Sequence, residues 1–230
     1  ILEVGCGSGL LTHILQKEFS NKNLIGIEPI AEGFAKLSPF LTLKGKLLTT
    51  IEEVGYENYS PQKTFDLIFC VNVFEHLNDW QDFLYWSERN LSKGGSLIVL
   101  CPNYGFPMES HFGVPIIYNK AITELVFRNY IKRVETKNDF KGLWGSLNFV
   151  KKREVKKFLR QERLNNLFLL ADCLNVNDKI LDRASNDDEF KSRHPILCKI
   201  ICGIRYINIA SLVKMVPNIC PYMKLIIKKN

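Results

Sequence analysis

The stretch ILEVGCGSGLL, residues 1–11, decides how the rest of the chain is interpreted. Its apolar start is typical of a short strand, and its three glycines in five positions are typical of a tight turn. Apolar residues then recur at helical spacing from Leu10 to Leu15. A strand, a glycine-rich turn and a helix in this order present backbone N–H groups to a nucleotide-like ligand. The sequence therefore predicts a ligand-binding loop at the first junction between strand and helix.

The composition is that of an ordinary folded domain. The chain has 230 residues, 46% apolar and 24% charged, enough for one sizeable α/β domain. The net charge of +7 is spread widely, so we expect no nucleic-acid partner. The seven cysteines form no CxxC pair and no cluster at zinc spacing, which favours a reducing cytoplasm. No signal peptide is visible, and the chain lacks an initiator Met and begins inside its first strand, so we expect that an N-terminal piece is missing.

The first half alternates strands with helices. Continuous apolar runs such as FDLIFCV (65–71) are typical of strands buried on both faces of a parallel sheet. Asp79 is a suitable N-cap for the helix that follows that run. Strands are predicted at 24–30, 43–50, 65–71 and 96–102, and helices at 31–37 and 79–91. This order predicts an α/β fold with a doubly wound, mostly parallel sheet.

The second half is less regular. Residues 102–117 are rich in proline and glycine and predict a long ordered loop. Helices are predicted at 119–131 and 152–171 and within 175–193, and a final strand at YMKLIIKKN (222–230). We expect a single domain over 1–230, in which 1–103 form the cofactor-binding half and 104–230 supply the substrate-side loop, helices and last strand.

The glycine loop favours one class of ligand. Dinucleotide-binding folds place a third glycine where this chain has Leu10, and Glu3 would repel a pyrophosphate. The same carboxylate suits a ligand with a positive charge. Glu28, at the end of the second strand, can accept hydrogen bonds from both ribose hydroxyls. The alternatives are a tight turn without a ligand and a solvated Glu28.

At this point the sequence resembles a known family. EVGCGSG, GIEP, FDLIFCVNVFEHL and LSKGGSLIVLCPN, within residues 1–103, resemble class I S-adenosylmethionine-dependent methyltransferases, and FEHLNDW resembles their ubiquinone-biosynthesis branch. The resemblance implies a Rossmann-like methyltransferase fold with S-adenosylmethionine as cofactor. It implies that the loop from Glu3 to Gly9 wraps the methionine part, that Glu28 holds the ribose, and that residues near Val71 to Phe74 flank the adenine or the sulfonium. The cofactor-binding residues predicted in this way are Glu3, Gly5, Cys6, Gly7, Gly9, Glu28 and Asn72.

The candidate catalytic residues follow the fourth and fifth strands. Methyl transfer is an in-line displacement, and a base helps when the acceptor is a hydroxyl. Glu109 and His111 lie in the stiff loop and are suited to act as a base with an orienting carboxylate. His76 follows Glu75 after the fourth strand, where some relatives hold a divalent metal. Because Asn72 stands at the first acidic position of that pattern, we predict no metal. A histidine at a helix start and a loop that only caps the sheet remain the alternatives.

These features predict methyl transfer to an oxygen of a small-molecule, lipid-linked or sugar-like acceptor. The alternatives are a non-catalytic protein with the same fold, serving as a membrane or partner module, and an NAD-type oxidoreductase. Residues 194–229 suit either an amphipathic element that lies on a membrane surface or a segment that covers the sheet. We expect a cytoplasmic protein, and the first of these two alternatives would add peripheral contact with a membrane. A basic run faces either an anionic substrate or solvent; its members are Lys151, Lys152, Arg153, Lys156 and Lys157.

Overall fold

The structure is a computed structural model of the chain. It describes residues 1–29, 50–161, 167–172, 182–183, 185–193, 198–199 and 220–230. The helix predicted at 31–37 and most of the strand predicted at 43–50 lie outside the described residues. The same holds for most of the segment 194–219.

A mixed sheet forms the centre of the molecule. Its strands are β1 (Leu2–Val4), β2 (Ile25–Ile27), β3 (Thr50–Glu52), β4 (Phe65–Val71), β5 (Leu91–Pro102), β8 (Leu167–Asp172) and β9 (Tyr222–Lys229). Over the described ranges their order is β3-β2-β1-β4-β5-β9-β8. The first five strands pair in parallel, whereas β9 is antiparallel to both β5 and β8. The predicted doubly wound, mostly parallel sheet is confirmed.

Helices follow the strands, largely as predicted. They are α1 (Leu10–Glu18), α2 (Trp80–Asn90), α3 (Lys120–Asn138), α4 (Leu143–Ser146), α5 (Lys152–Gln161) and α6 (Asp188–Arg193). Asp79 caps α2, since one carboxylate oxygen accepts hydrogen bonds of 2.9 Å from the N–H groups of Gln81 and Asp82. In the part of the chain that is described, no helix has the length and apolarity that a membrane crossing requires.

Two hydrophobic cores position the site. The larger one joins one face of the sheet to α2 and α5, with Ile68, Leu97 and Leu225 fully buried. The smaller one joins the chain after β5 to α3 and α4. Its buried members are Tyr104, Phe112, Val114, Ile131, Trp144 and Leu147. This small core fixes the loop that carries the predicted base, because Phe112 follows His111 directly.

Three predictions about the second half need correction. The helix predicted at 152–171 ends at Gln161, and Leu167–Asp172 forms strand β8, because this apolar run pairs with β9. The helix predicted to end at 131 continues to Asn138, where Asp139 turns the chain with a φ of 55°. The predicted loop 102–117 contains a short hairpin of β6 (Met108–Glu109) and β7 (Val114–Pro115).

Candidate active site

The glycine loop lies directly after β1, at the carboxyl end of the parallel strands. Gly5, Gly7 and Gly9 have φ angles of 71°, 55° and 74°, a region that side chains disfavour. A Cβ on Gly5 would overlap the side chain of Val73, which follows β4. The loop therefore leaves its backbone open to a ligand and packs closely against the end of the neighbouring strand. Open α/β sheets bind their ligands at this edge.

Glu3 is buried beneath this loop. Its carboxylate accepts a hydrogen bond from the hydroxyl of Thr12, the buried residue of α1. Burial raises the pKa of Glu3 to about 7, although the Thr12 hydrogen bond opposes that shift. A cationic ligand beside Glu3 would favour its ionised form. Glu3 therefore lies at the start of the glycine loop, and its contact with a positively charged cofactor stays a prediction.

Glu28 ties the end of β2 to the same loop. One of its carboxylate oxygens accepts a hydrogen bond of 2.9 Å from the N–H of Gly7. Burial raises the pKa of Glu28, and the Gly7 hydrogen bond opposes that shift. Cys6 lies against Gly26 of β2, so closely that a Cβ on Gly26 would be 2.7 Å from its sulfur. The Cys6 thiol therefore packs against β2 and also contacts the carbonyl of Gly7.

Asn72 follows β4 and turns the chain toward the next part of the site. Its φ angle is 55°, its side chain is exposed, and its N–H donates to the carbonyl of Leu100 at 2.8 Å. Asn72, the glycine loop and Glu28 all follow the carboxyl ends of parallel strands. This donor set fits a cofactor that carries a ribose and a positive charge.

Glu109 orients His111 in the hairpin after β5. One Glu109 oxygen lies 2.8 Å from Nδ1 of His111 and also accepts from the His111 backbone N–H at 3.0 Å. The other oxygen accepts from the N–H of Phe112 at 2.6 Å. Burial alone would raise the pKa of Glu109, but these hydrogen bonds outweigh burial and hold it below its usual value. The pair has the geometry of a histidine held by a carboxylate, as the sequence predicted.

Glu75 joins this pair from the turn Phe74–His76. Its side chain is fully buried, and neither carboxylate oxygen has a hydrogen-bond partner. One of those oxygens lies 3.9 Å from Nε2 of His111 and 3.9 Å from Nε2 of His76. Burial raises the pKa of Glu75 to about 7. The sequence placed Glu75 beside His76 but gave it no role, because only the hairpin fold shows that both histidines face it.

His76 completes this group of side chains. Its Nδ1 lies 2.8 Å from the hydroxyl of Ser146, and its ring meets the ring of His111 edge to face at 5.4 Å. Burial, followed by the charge of His111, lowers the pKa of His76 to about 4. Asn148 fixes the turn that carries both Glu75 and His76, since its side-chain amide donates to the carbonyls of Phe74 and Leu77.

A basic cavity of about 280 Å³ adjoins these residues. Its walls are the chain around Tyr104, the segment after β7 and the start of α5. Of the predicted basic run, Lys151, Lys152 and Arg153 line it. Tyr104 belongs to both regions, because its hydroxyl lies 3.3 Å from Glu109. The first part of the basic run thus faces a cavity next to the candidate base.

The sheet order and the loop after β1 define a methyltransferase fold of the Rossmann-like class. Comparison with known families gives the same result, since the methyltransferase domain family matches residues 1–176. The chain belongs to this family, and the predicted resemblance is confirmed.

Curated relatives match parts of the chain. The uncharacterized protein Rv1509 of Mycobacterium tuberculosis is 34% identical over 196 residues, which cover 84% of this chain and 65% of that protein. The human mitochondrial ubiquinone biosynthesis O-methyltransferase is 29% identical over 133 residues, covering 55% of this chain and 34% of that enzyme. The chain therefore spans less than two thirds of the length of these relatives.

Solved structures show the same fold. Mycolic acid cyclopropane synthase CmaA1, solved with S-adenosylhomocysteine, has a TM-score of 0.55 at 14% identity and covers 99% of this chain and 77% of its own. The plantazolicin methyltransferase BpumL, also solved with S-adenosylhomocysteine, has a TM-score of 0.54 at 14% identity and covers 100% of this chain and 75% of its own.

Proposed function

We propose that this chain is an S-adenosylmethionine-dependent methyltransferase and that its acceptor atom is a hydroxyl oxygen. The observation that supports an oxygen acceptor is the contact of 2.8 Å between Glu109 and His111, which places a histidine and an orienting carboxylate together. Family membership and the two neighbours that hold S-adenosylhomocysteine support the cofactor. S-adenosylmethionine supplies a methyl group on a sulfonium, which makes that methyl open to attack by an oxygen.

Two regions of the chain have separate roles, one in binding the cofactor and the other in acid–base chemistry. The glycine loop, Glu3 and Glu28 hold the cofactor at the ends of β1 and β2. Val73 packs against Gly5 and lies two residues before Glu75, so the acid–base group starts beside the cofactor loop. Closeness and alignment supply much of the rate in a displacement of this kind.

His111 takes the proton of the acceptor hydroxyl through Nε2. Glu109 holds the ring through Nδ1, so the opposite nitrogen faces the interior of the group. The same carboxylate stabilises the imidazolium that forms when the proton arrives. Glu75 and Glu109 are buried, whereas His111 stays partly exposed, so the acceptor can reach its ring.

The acceptor that fits best is a small molecule, or a lipid-linked or sugar-like molecule, with an anionic group near its hydroxyl. The basic cavity beside Tyr104 supports the anionic group, because three cationic residues line it. The names of curated relatives include O-methyltransferases of ubiquinone biosynthesis and of malonyl-acyl-carrier protein. A cytoplasmic location, with contact of residues 194–229 with a membrane surface, is part of the same proposal.

Calorimetric titration separates this proposal from its alternatives. We expect S-adenosylhomocysteine to bind and NAD not to bind, and we expect Gly7→Arg to abolish binding. Binding of NAD alone would favour the oxidoreductase. Cofactor binding without methyl transfer to any hydroxyl acceptor, in an assay with radiolabelled methyl groups, would favour a non-catalytic protein.

A further inference from the structure

We infer that Tyr118 determines which acceptors bind, by stacking its side chain against a ring of the acceptor at the mouth of the basic cavity. Tyr118 is one of the residues that line this cavity, and it is 85% exposed. The inference rests on the proposed function and deepens it, because it names the part of the acceptor that the cavity recognises. That part is a sugar or aromatic ring that carries an anionic group.

Tyr118 has a backbone conformation that costs free energy. Its φ angle is 62°, and the N–H of Asn119 donates to the carbonyl of Ile117 at 2.6 Å. A hydrogen bond between residues two apart closes a γ-turn, and the form with a positive φ at its centre is rare and strained. Glycine adopts such a φ readily, whereas a bulky side chain is unfavourable there. A tyrosine at the centre of this turn therefore requires a compensating contact.

The neighbouring residues hold the turn in place. The side-chain oxygen of Asn119 accepts from the N–H of Ile122 at 2.9 Å and caps α3. The buried hydroxyl of Thr123 accepts from the N–H of Ile117 at 2.8 Å and donates to the carbonyl of Asn119 at 2.7 Å. The backbone at Tyr118 is thus fixed by groups other than its own ring.

Contacts within the protein do not explain this ring. Within the part of the chain that the structure describes, the side chain of Tyr118 makes no hydrogen bond and stacks on no other ring. Tyr104, which lines the same cavity, is buried, and its ring stacks on Phe149 at 4.4 Å. Strained backbone conformations cluster at sites that bind ligands, where the ligand contact is part of the design. The ring of Tyr118 is therefore interpreted as a contact for a ligand.

Three aromatic residues of different exposure line the cavity. Tyr118 is exposed, Phe106 is half-buried and Tyr104 is buried, which places Tyr118 at the mouth and Tyr104 at the inner end. At that inner end the hydroxyl of Tyr104 lies 3.3 Å from Glu109, which holds His111. An acceptor whose hydroxyl reaches His111 through the cavity therefore leaves the rest of its structure beside Phe106 and Tyr118.

The cavity lining combines aromatic residues with basic ones. Ligand sites are lined mostly by apolar and aromatic groups, with a few charged groups that orient the ligand. Tyrosine offers a large, rigid surface at a low cost in conformational entropy. An anionic group beside Lys151 and Arg153 and a ring against Tyr118 would hold the acceptor at two points, which aligns its hydroxyl for displacement. Sugar rings and aromatic rings both present a face that can stack in this way.

The test is calorimetric titration with phenyl phosphate, glucose 1-phosphate and inorganic phosphate, each with S-adenosylhomocysteine present. We expect a ring-bearing phosphate to bind more tightly than inorganic phosphate, and the probe that does so identifies the kind of ring. Tyr118→Ala should reduce this gain about 5-fold, and Tyr118→Phe should keep it within about twofold. Tyr130→Ala, at an exposed tyrosine of α3 outside the cavity lining, is the matched control and should bind as the unaltered protein does.

A further variant separates contact with a ligand from a role in folding. Tyr118→Gly removes the ring and also relieves the backbone, so its midpoint in urea unfolding should rise above that of the unaltered protein. Its affinity for the ring-bearing phosphate should fall as in Tyr118→Ala. A midpoint that falls in Tyr118→Gly would show that the ring stabilises the fold, and it would overturn the inference.

Turnover gives a readout that separates the inference from the proposed function. For a ring-bearing acceptor, Tyr118→Ala should raise KM about 5-fold and leave kcat within about twofold, because the ring binds away from the reacting oxygen. Methyl transfer to such a hydroxyl acceptor with an unaltered KM contradicts the inference alone. A binding gain that Tyr118→Ala removes, in a protein that methylates no hydroxyl acceptor, contradicts the proposed function alone. Failure of the unaltered protein to prefer either ring-bearing phosphate over inorganic phosphate would also overturn the inference.

Discussion

The N–H of Gly7 donates to the carboxylate of Glu28 across 2.9 Å, which joins the glycine loop to the end of β2. This contact keeps a carboxylate at the edge of the loop before any ligand arrives. The ribose of the cofactor is expected to meet that carboxylate there.

Removal of the Glu28 carboxylate should therefore weaken cofactor binding. We expect Glu28→Ala to raise the Kd for S-adenosylhomocysteine at least 10-fold, because both ribose hydroxyls lose their acceptor. Glu18→Gln, an exposed acidic residue of α1, should leave the Kd unchanged. Calorimetry measures both, and an unaltered Kd in Glu28→Ala would remove the ribose role.

Glu3 should make the stability of the ligand-free protein depend on pH. Its pKa is raised to about 7 in the folded protein, above its usual value of 4.5, so the folded state favours the protonated form. Its contribution is present below the unfolded pKa and is lost as pH rises from about 4.5 to 7. We expect Glu3→Gln to be more stable than the unaltered protein at pH 8, by at most on the order of 3 kcal/mol, and to show no such gain at pH 4.

Urea unfolding at the two pH values measures this difference. The ionisation of Glu3 should also affect ligand binding, because S-adenosylhomocysteine carries a positively charged ammonium group. Its binding should tighten between pH 6 and pH 8 as Glu3 ionises, and this change should be absent in Glu3→Gln. An equal pH dependence in that variant would show that another group is responsible.

The acid–base residues should affect turnover without affecting the cofactor. His111→Ala should lower the rate of methyl transfer to a hydroxyl acceptor by about 10²- to 10⁴-fold, and Glu109→Gln should lower it less, because the ring stays but loses its orientation. The Kd for S-adenosylhomocysteine should stay within about twofold in both. Activity that survives both substitutions would rule out the pair as the base.

Asn148 should stabilise the turn that carries Glu75 and His76. Its side chain makes hydrogen bonds to the carbonyls of Phe74 and Leu77 and to the N–H of Val150. We expect Asn148→Ala to lower the free energy of unfolding by about 2–3 kcal/mol, since buried backbone groups lose their partners. Asn78→Ala, at an exposed asparagine, should change stability by less than about 0.5 kcal/mol in the same urea titration.

The basic cavity should select acceptors by charge. We expect Arg153→Gln to raise the KM for phosphate- or carboxylate-bearing acceptors about 10-fold and to leave kcat unchanged, because the residue binds the anion away from the reacting oxygen. Neutral acceptors should show no change. An equal effect on neutral and anionic acceptors would contradict an anion-binding role.

The cofactor half of the fold could be predicted from the sequence because its signals are local. The apolar run at β4, the cap at Asp79 and the glycines after β1 each determine their own conformation. Strand β8 could not be predicted in this way. Its run of apolar residues also suits a helix, and only the pairing with β9 decides between the two.

The same difference between local and long-range contacts decides how much of the candidate site could be predicted. Glu109 and His111 are two residues apart, so their contact could be expected from the sequence. The group of Glu75, His76 and His111 depends on a hairpin that returns over the end of β4. The sequence therefore indicated each histidine separately and did not indicate that both face one buried carboxylate.

The small core around Trp144 has a consequence for how such a protein can evolve. It supports the hairpin with His111, whereas the glycine loop and Glu28 belong to the sheet and the large core. Substitutions in the small core can reshape the acceptor side while the cofactor side keeps its structure. One inherited cofactor module can in this way serve a succession of different acceptors.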